Sequence, residues 1–241
     1  MKSAIFILML IFAKIVIASD NIKILIITGG HAFEREPFYH MFTDMAKVDW
    51  DSLSHPNANA VYGSPPAKEY DVLVFYDMNQ DITAEQKQAF LDMVKKGKGL
   101  LFLHHSLASY QEWDEFLQVL GGRYWLKPED KSKASTFEHD LDIPVQIVAA
   151  DHPVTRSLKD FVIHDEAYGN FQVLPQVTPL LKTRHPKSGE IIGWANSYGT
   201  SRIVYLQLGH DHYAYENGNY RRLVRNAIFW VAGKTGLSMH K

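Results

Sequence analysis

Gly99-Leu-Leu-Phe-Leu-His-His-Ser-Leu-Ala-Ser109 is the stretch on which the reading of this chain turns. Leu100 to Leu103 is an uninterrupted apolar run, the pattern of a strand buried on both faces of a parallel sheet. The run ends in two imidazoles and a hydroxyl, His104, His105 and Ser106. In open α/β sheets, side chains just past the carboxyl ends of strands line the ligand crevice. The stretch therefore predicts a fold class and a place for chemistry at once.

Upstream, Ile22-Lys-Ile-Leu-Ile-Ile-Thr28 reads as a first strand, broken by Gly29-Gly30, with Pro37 near the start of a helix reaching about Lys47. Asp51 to Lys68 is rich in Pro, Asn, Ser and Gly and reads as loop, and Tyr70 to Tyr76 is the next buried strand. Thr83-Ala-Glu-Gln86 has the form of a capping box, followed by an apolar face of Phe90, Met93 and Val94 and a stop at Gly97. Downstream, Trp113, Phe116, Leu117 and Leu120 mark a helix closed by Gly121-Gly122. This β-α-β-α-β-α order implies right-handed crossovers and a parallel sheet. Lys127 to Asp140 is charged and reads as loop, and Ile143 to Val148 as an edge or antiparallel strand. Asp151 to Thr155 is a turn, and shorter strands are expected at Phe161–Ile163, Thr178–Leu181 and Ile191–Trp194. Arg202 to Leu208 is a strong last strand, followed by a helix from about Asn219 to Ala232.

The 241 residues, 46% hydrophobic and 22% charged, suit one domain with a sizeable core. A net charge of -2 and the lack of a long basic run argue against nucleic acid as a partner. With no cysteine there is no disulfide framework, lipid-modified Cys or thiol nucleophile. Lys2, the apolar run Ala4 to Ile17 and Ala18-Ser19-Asp20 read as an export signal over residues 1–19, ahead of one domain over 20–241. The alternative, a membrane anchor, is disfavoured because the run falls short of the ~20 residues of a comfortable span. A periplasmic or secreted protein with no stable membrane span is expected, and a homo-oligomer is compatible.

The strand ends bring chemistry-bearing residues together. His31 follows the first, Asp77 the second, His104 and His105 the third, and His210-Asp211-His212 the last. His104, His105, His210, His212 and Asp77 form a candidate first shell for a divalent metal, zinc being the first choice. His210 and His212 project to one side of an extended chain, whereas His104 and His105 face one ligand only across a turn. A hydrogen-bonded structural role weighs at least equally for His104 and His212, and turn capping weighs about equally for His31. Ser106, flanked by His105 and Leu107, lacks the small neighbours of a nucleophile elbow and is expected to cap the next helix. Asp165-Glu166 could supply an acid/base group or a ligand, the stronger alternative being a solvated loop; Glu166 gains from the nearby Tyr168. Gly29-Gly30 lacks the GxGxxG pattern and reads as a plain turn. Among the aromatics, core packing is expected for Trp113 and Trp194, and sugar contact for Tyr213 and Tyr215 in their polar loop.

Taken together, Thr28-Gly-Gly-His31, Tyr70 to Asp77, Leu100 to Ser109, Gly121-Gly-Arg-Tyr124, Asp151 to Thr155, Asp165-Glu-Ala-Tyr168, Tyr198 to Asp211, Tyr220-Arg-Arg-Leu and Ile228 to Gly233 resemble the trehalose-utilisation (ThuA-like) family in order over nearly the whole chain. The resemblance implies a class I glutamine amidotransferase-like, flavodoxin-like α/β three-layer sandwich, its mostly parallel sheet covered by helices on both faces. Amidotransferases carry a catalytic Cys in the turn after the third strand; here that turn is His104-His105-Ser106, which argues against glutaminase chemistry. The resemblance also implies carbohydrate catabolism, of trehalose-type disaccharides or their 3-keto forms. The expected protein is an exported enzyme, a hydrolase or lyase acting on a glycoside or 3-keto glycoside. His105, His210 and Glu166 would be catalytic, with His31, Tyr168, Tyr213 and Tyr215 binding sugar. The alternative is a non-catalytic sugar-binding module.

Overall fold

The computed structural model describes residues 21–234, so the expected export signal lies outside the described residues. The strands are β1 (Ile22–Gly29), β2 (Val48–Ser54), β3 (Val72–Asp77), β4 (Gly99–Leu103), β5 (Gly122–Arg123), β6 (Thr136–Ile147), β7 (Phe161–Gly169), β8 (Gln172–Val173), β9 (Thr178–Lys182), β10 (Ile191–Tyr198) and β11 (Ser201–Leu206). The helices are α1 (Arg35–Thr43), α2 (Ala84–Lys95), α3 (Asp114–Leu120), α4 (His212–Glu216) and α5 (Gly218–Val231).

Nine strands form one sheet in the order β2-β1-β3-β4-β11-β10-β9-β6-β7. The first five are mutually parallel. The remaining four join antiparallel, an extension of the parallel arrangement. Its cause is local: only Gly199 and Thr200 separate β10 from β11, and so short a link closes a hairpin but not a crossover.

Strand alternation divides the core into two layers. Ile24 and Ile26 of β1 pack with Phe38 and Phe42 of α1 and with Leu223, Ala227 and Ile228 of α5. Leu25 and Ile27 face the other way, toward Phe90 and Val94 of α2 and Phe116 and Leu120 of α3. The capping box of α2 is formed in both directions between Thr83 and Gln86.

Three expectations are corrected. The first helix ends at Thr43, short of Lys47. The stretch from Asp51 is not all loop, because β2 runs through Ser54 at the sheet edge, where its Asp and Ser side chains meet water. Likewise the charged stretch 127–140 becomes strand from Thr136, pairing with β7 as a ribbon whose outer surface is exposed.

The parallel strands end in register, Gly29 beside Asp77 and Leu206 beside Leu103. The side chains that follow these ends share one edge of the sheet, and the β6–β7 ribbon stands against the same edge.

Candidate active site

His104 begins a 3-10 turn, His104–Ala108, directly after β4, and takes a left-handed backbone conformation (φ 49°) that non-glycine residues seldom adopt. Its buried ring lies 2.7 Å by Nδ1 from the carbonyl oxygen of Gln207, beyond β11. A carbonyl can only accept, so Nδ1 carries a proton, and Nε2 faces the site either as a protonated donor to a carboxylate or with its lone pair on a cation. Nε2 lies 2.8 Å from the Tyr168 hydroxyl and 2.8 Å from Glu166 Oε2. His210 Nδ1 lies 3.2 Å from the same carboxylate oxygen.

Glu166 and Tyr168 are two apart on β7 and face the same side. Opposite them on β6, Phe137 pairs with Tyr168, and a register shift between Glu138 and Leu141 sets His139 and Asp140 against Glu166. Asp140 takes a positive φ (57°) in this bulge, a device that re-aims side chains near functional sites. His139 Nε2 lies 3.6 Å from Glu166 Oε1, and its ring is 4.5 Å from that of His210. Glu166 thus has His104, His210 and His139 around it.

Burial opposes ionisation of Glu166, but hydrogen bonds and positive charge from His104 and His210 outweigh it and hold the carboxyl well below the usual carboxylate range. The hydrogen bond to Glu166 in turn raises His210, against its partial burial. Burial, with the negative charge of Glu166 second, pushes the Tyr168 phenol far up, so it stays a hydrogen-bond donor. His105 is the opposite case. Burial first, then the neighbouring His104 and His31, hold it well below the ordinary imidazole range against a weaker opposing pull from the Tyr76 backbone, and both ring nitrogens are buried with no partner at full hydrogen-bond geometry.

Beneath this cluster lies Asp165, 2% exposed, which accepts from the backbone N–H groups of Gly209, His210 and Glu166 at 2.8, 2.9 and 2.8 Å. It joins the His210 segment to β7. Gly209 is needed at its position, with φ 118° and the place of a Cβ only 2.2 Å from the buried Tyr220 hydroxyl. Gly209→Ala is expected to cost about 1–3 kcal/mol, from strain and overpacking together. It should also shift His210 away from Glu166; thermal unfolding and the histidine ring signals in NMR would report the two effects.

A cavity of about 300 Å³ opens over these groups, walled by His31, His105, Glu166 and Tyr168 and by Met78, Ala108, Tyr124, Leu126, Phe137 and His139. The His105 ring stands 4.7 Å from His31 and 4.2 Å from Tyr76. A larger open cleft of about 620 Å³ lies near Tyr62, Lys68 and Lys98, at the amino ends of β3 and β4 and away from the histidines.

The structure brings His31, His104, His105, Glu166, Tyr168 and His210 together and places other candidates elsewhere. Asp77 is not with the His104 cluster, since its buried carboxylate lies 2.9 Å from His55 Nε2. His212 faces Glu34 across 2.9 Å, because it already belongs to α4 and points away from His210. Tyr215 is fully buried with its hydroxyl 2.6 Å from that of Tyr76, a core position; Tyr213 is exposed beside His164, outside the cavity. Ser106 caps no helix: it is buried within the 3-10 turn, and α3 begins after Trp113 without a side-chain cap. Asp165-Glu166 is no solvated loop but buried strand. Trp113 and Trp194 are buried. The residues missed from the sequence are His139, Phe137 and Tyr124; the spacing of Phe137 and His139 by two was the available signal, masked by the charges around it and cut off by the bulge that follows.

The donor set fits a divalent cation. His104, Glu166 and His210 each offer one ligand atom, all within 4.8 Å of one another. An imidazole nitrogen 2.8 Å from a carboxylate oxygen needs a proton or a cation between them, and the Nδ1 anchor of His104 is the arrangement that commonly orients metal-bound histidines.

A family model described as trehalose utilisation matches residues 23–231. Among solved structures, a ThuA-like protein from Parabacteroides merdae is similar at 18% identity and TM-score 0.76, covering 92% of this chain and 94% of that one. A ThuA-like protein from Bacteroides uniformis is 22% identical with TM-score 0.67, covering 89% and 93%. A cytoplasmic protein from Salmonella typhimurium LT2 is 15% identical with TM-score 0.62, covering 87% and 99%. No curated relative matches the chain.

Proposed function

The chain belongs to the trehalose utilisation family, and on that premise we propose that it is an exported, metal-assisted enzyme of carbohydrate catabolism, acting on a glycoside whose sugar carries a carbonyl at C3. The observation that carries the reading is the cluster of His104, Glu166 and His210, whose ligand atoms lie within 4.8 Å of one another, set behind a cavity that Glu166 lines together with His105.

A C3 carbonyl acidifies the hydrogen at C2, and the glycosidic oxygen at C1 is then placed for β-elimination. His105 is suited to accept the C2 proton, since its nitrogens have no partner at full hydrogen-bond geometry and burial keeps it uncharged. The same burial weakens it as a base, so acidification of the C–H must come from the other groups. His104, Glu166 and His210 would hold a divalent ion, zinc in the first instance, which when bound polarises a carbonyl oxygen. Tyr168, kept protonated, can donate to an oxygen gathering negative charge. As the C1–O bond breaks, the proton on His105 is available to the departing oxygen, and His31 beside it keeps that side of the cavity polar.

Metal analysis of the purified protein after dialysis without chelator tests this, beside a His104→Ala, His210→Ala double variant. About one ion per chain in the wild type, lost in the variant, is expected. Turnover of a 3-keto glycoside should fall at least ~10²-fold in parallel. No metal in either protein after supplementation with zinc, manganese and calcium would remove the ion from the mechanism, and absent turnover would leave a sugar-binding module.

A further inference from the structure

We propose that Leu126 and Phe137, at the mouth of the cavity, form a second subsite that receives the leaving-group ring of the glycoside, so that the chain selects glycosides with a ring-shaped aglycone over sugars lacking one. This rests on the reading of the cavity floor as a sugar site. Single exposed apolar side chains are ordinary on protein surfaces. These two are not scattered: Phe137 is 59% and Leu126 37% exposed, and both line the cavity that Glu166 and His105 line.

The mouth is built rather than loose. Phe137 pairs across the ribbon with Tyr168, whose hydroxyl contacts His104, and its ring stands edge-on to His139 at 5.3 Å. The segment carrying Leu126 is tied down on both sides: Leu126 N–H donates to Gln111 Oε1, and Trp125 N–H to the Ser135 hydroxyl, which itself donates to the Asn170 carbonyl. An exposed phenyl ring held at a fixed place presents a flat apolar face, suited to the C–H face of a second sugar or to an aryl ring. At about 300 Å³ the cavity is at the small end for ligand sites, enough for one ring at the polar floor with the next at the mouth.

Titration calorimetry would compare methyl 3-keto-glucoside, 3-keto-trehalose and phenyl 3-keto-glucoside on wild type, Phe137→Ala, Leu126→Ala and Val162→Ala. Val162 is an exposed apolar residue of the same ribbon that does not line the cavity, and so serves as control. At least one ring-bearing probe is expected to bind ~10-fold or more tighter than the methyl compound, about the effect of burying one ring face. That preference should vanish in Phe137→Ala, weaken in Leu126→Ala and persist in Val162→Ala; preference for the trehalose or the phenyl probe identifies the ring as sugar or aryl. Equal binding of all three probes by the wild type, or a preference that survives Phe137→Ala, overturns the subsite and leaves the sugar reading standing. No binding of any probe removes the sugar reading itself and the subsite with it.

Discussion

Asp165→Ala is expected to lower the unfolding free energy by about 3–5 kcal/mol, the largest loss of stability from any single substitution near the site. The carboxylate is buried and accepts three backbone N–H groups, from Gly209, His210 and Glu166. A hydrogen bond to a charged group contributes about 1.5–3 kcal/mol, and a donor left buried without a partner bears its full desolvation cost. The three do not add independently, since two converge on one oxygen, Oδ1. Burial pushes the Asp165 carboxyl up, and the charge of His104 with the three N–H groups only partly pulls it back. The site therefore already carries the cost of a buried acid, which it recovers only while those bonds are intact. Asp165→Asn should fall between, because one amide N–H2 must face a backbone N–H. For a domain of this size the alanine variant should melt roughly 10 °C lower. Urea unfolding with an unchanged slope and a midpoint loss worth under ~1 kcal/mol would show that water replaces the carboxylate.

What could be read from the sequence follows from what kind of burial each element has. β1, β3, β4 and β11 are buried on both faces, so their apolar runs declare them, and α2 announces itself by its capping box. The strand ends carrying His31, His104, His105 and His210 could be located for the same reason. β2 and β6 left no such mark. β2 is an edge strand whose Asp49, Asp51 and Ser52 are exposed, and the first half of β6 is exposed on both faces of a ribbon. His139 and Phe137 lie on that half of β6, which is why the β6 side of the cavity wall was invisible. Asp165 and Glu166 show the complementary failure. Two adjacent acids look like a loop until a buried backbone turn, Gly209-His210, and a buried imidazole, His104, are found to need them. Pairing between distant segments supplies that information, and no local pattern contains it. The same holds for His212, whose spacing from His210 is that of a strand, and for Tyr215, expected in a polar loop: the chain enters α4 at His212 and turns both elsewhere.

Glu166→Gln should do to function what Asp165→Ala does to stability. The amide keeps the volume and reach of the acid and removes its charge. Glu166 Oε2 is the atom shared by His104 Nε2 and His210 Nδ1. Zinc content is expected to fall below a tenth of the wild-type level under identical dialysis, since a neutral amide is a poor ligand for the ion the two imidazoles would share. Turnover of a 3-keto glycoside should drop ~10²–10⁴-fold, the range for losing a positioned acid/base or electrophile-holding group. Stability should fall by about 1–3 kcal/mol at neutral pH, because a carboxylate held below its usual range by the two imidazoles stabilises the fold and the neutral amide does not. The folded state is then the control for the function: circular dichroism unchanged, the midpoint lowered only by that amount, metal and turnover lost. Retention of zinc and of turnover within about threefold would instead make Glu166 a structural partner of His104, and the working carboxylate would have to be sought elsewhere. The neighbouring pair divides the labour because alternation on β7 sends the two side chains to opposite faces, Asp165 into the backbone of the His210 segment and Glu166 into the cavity.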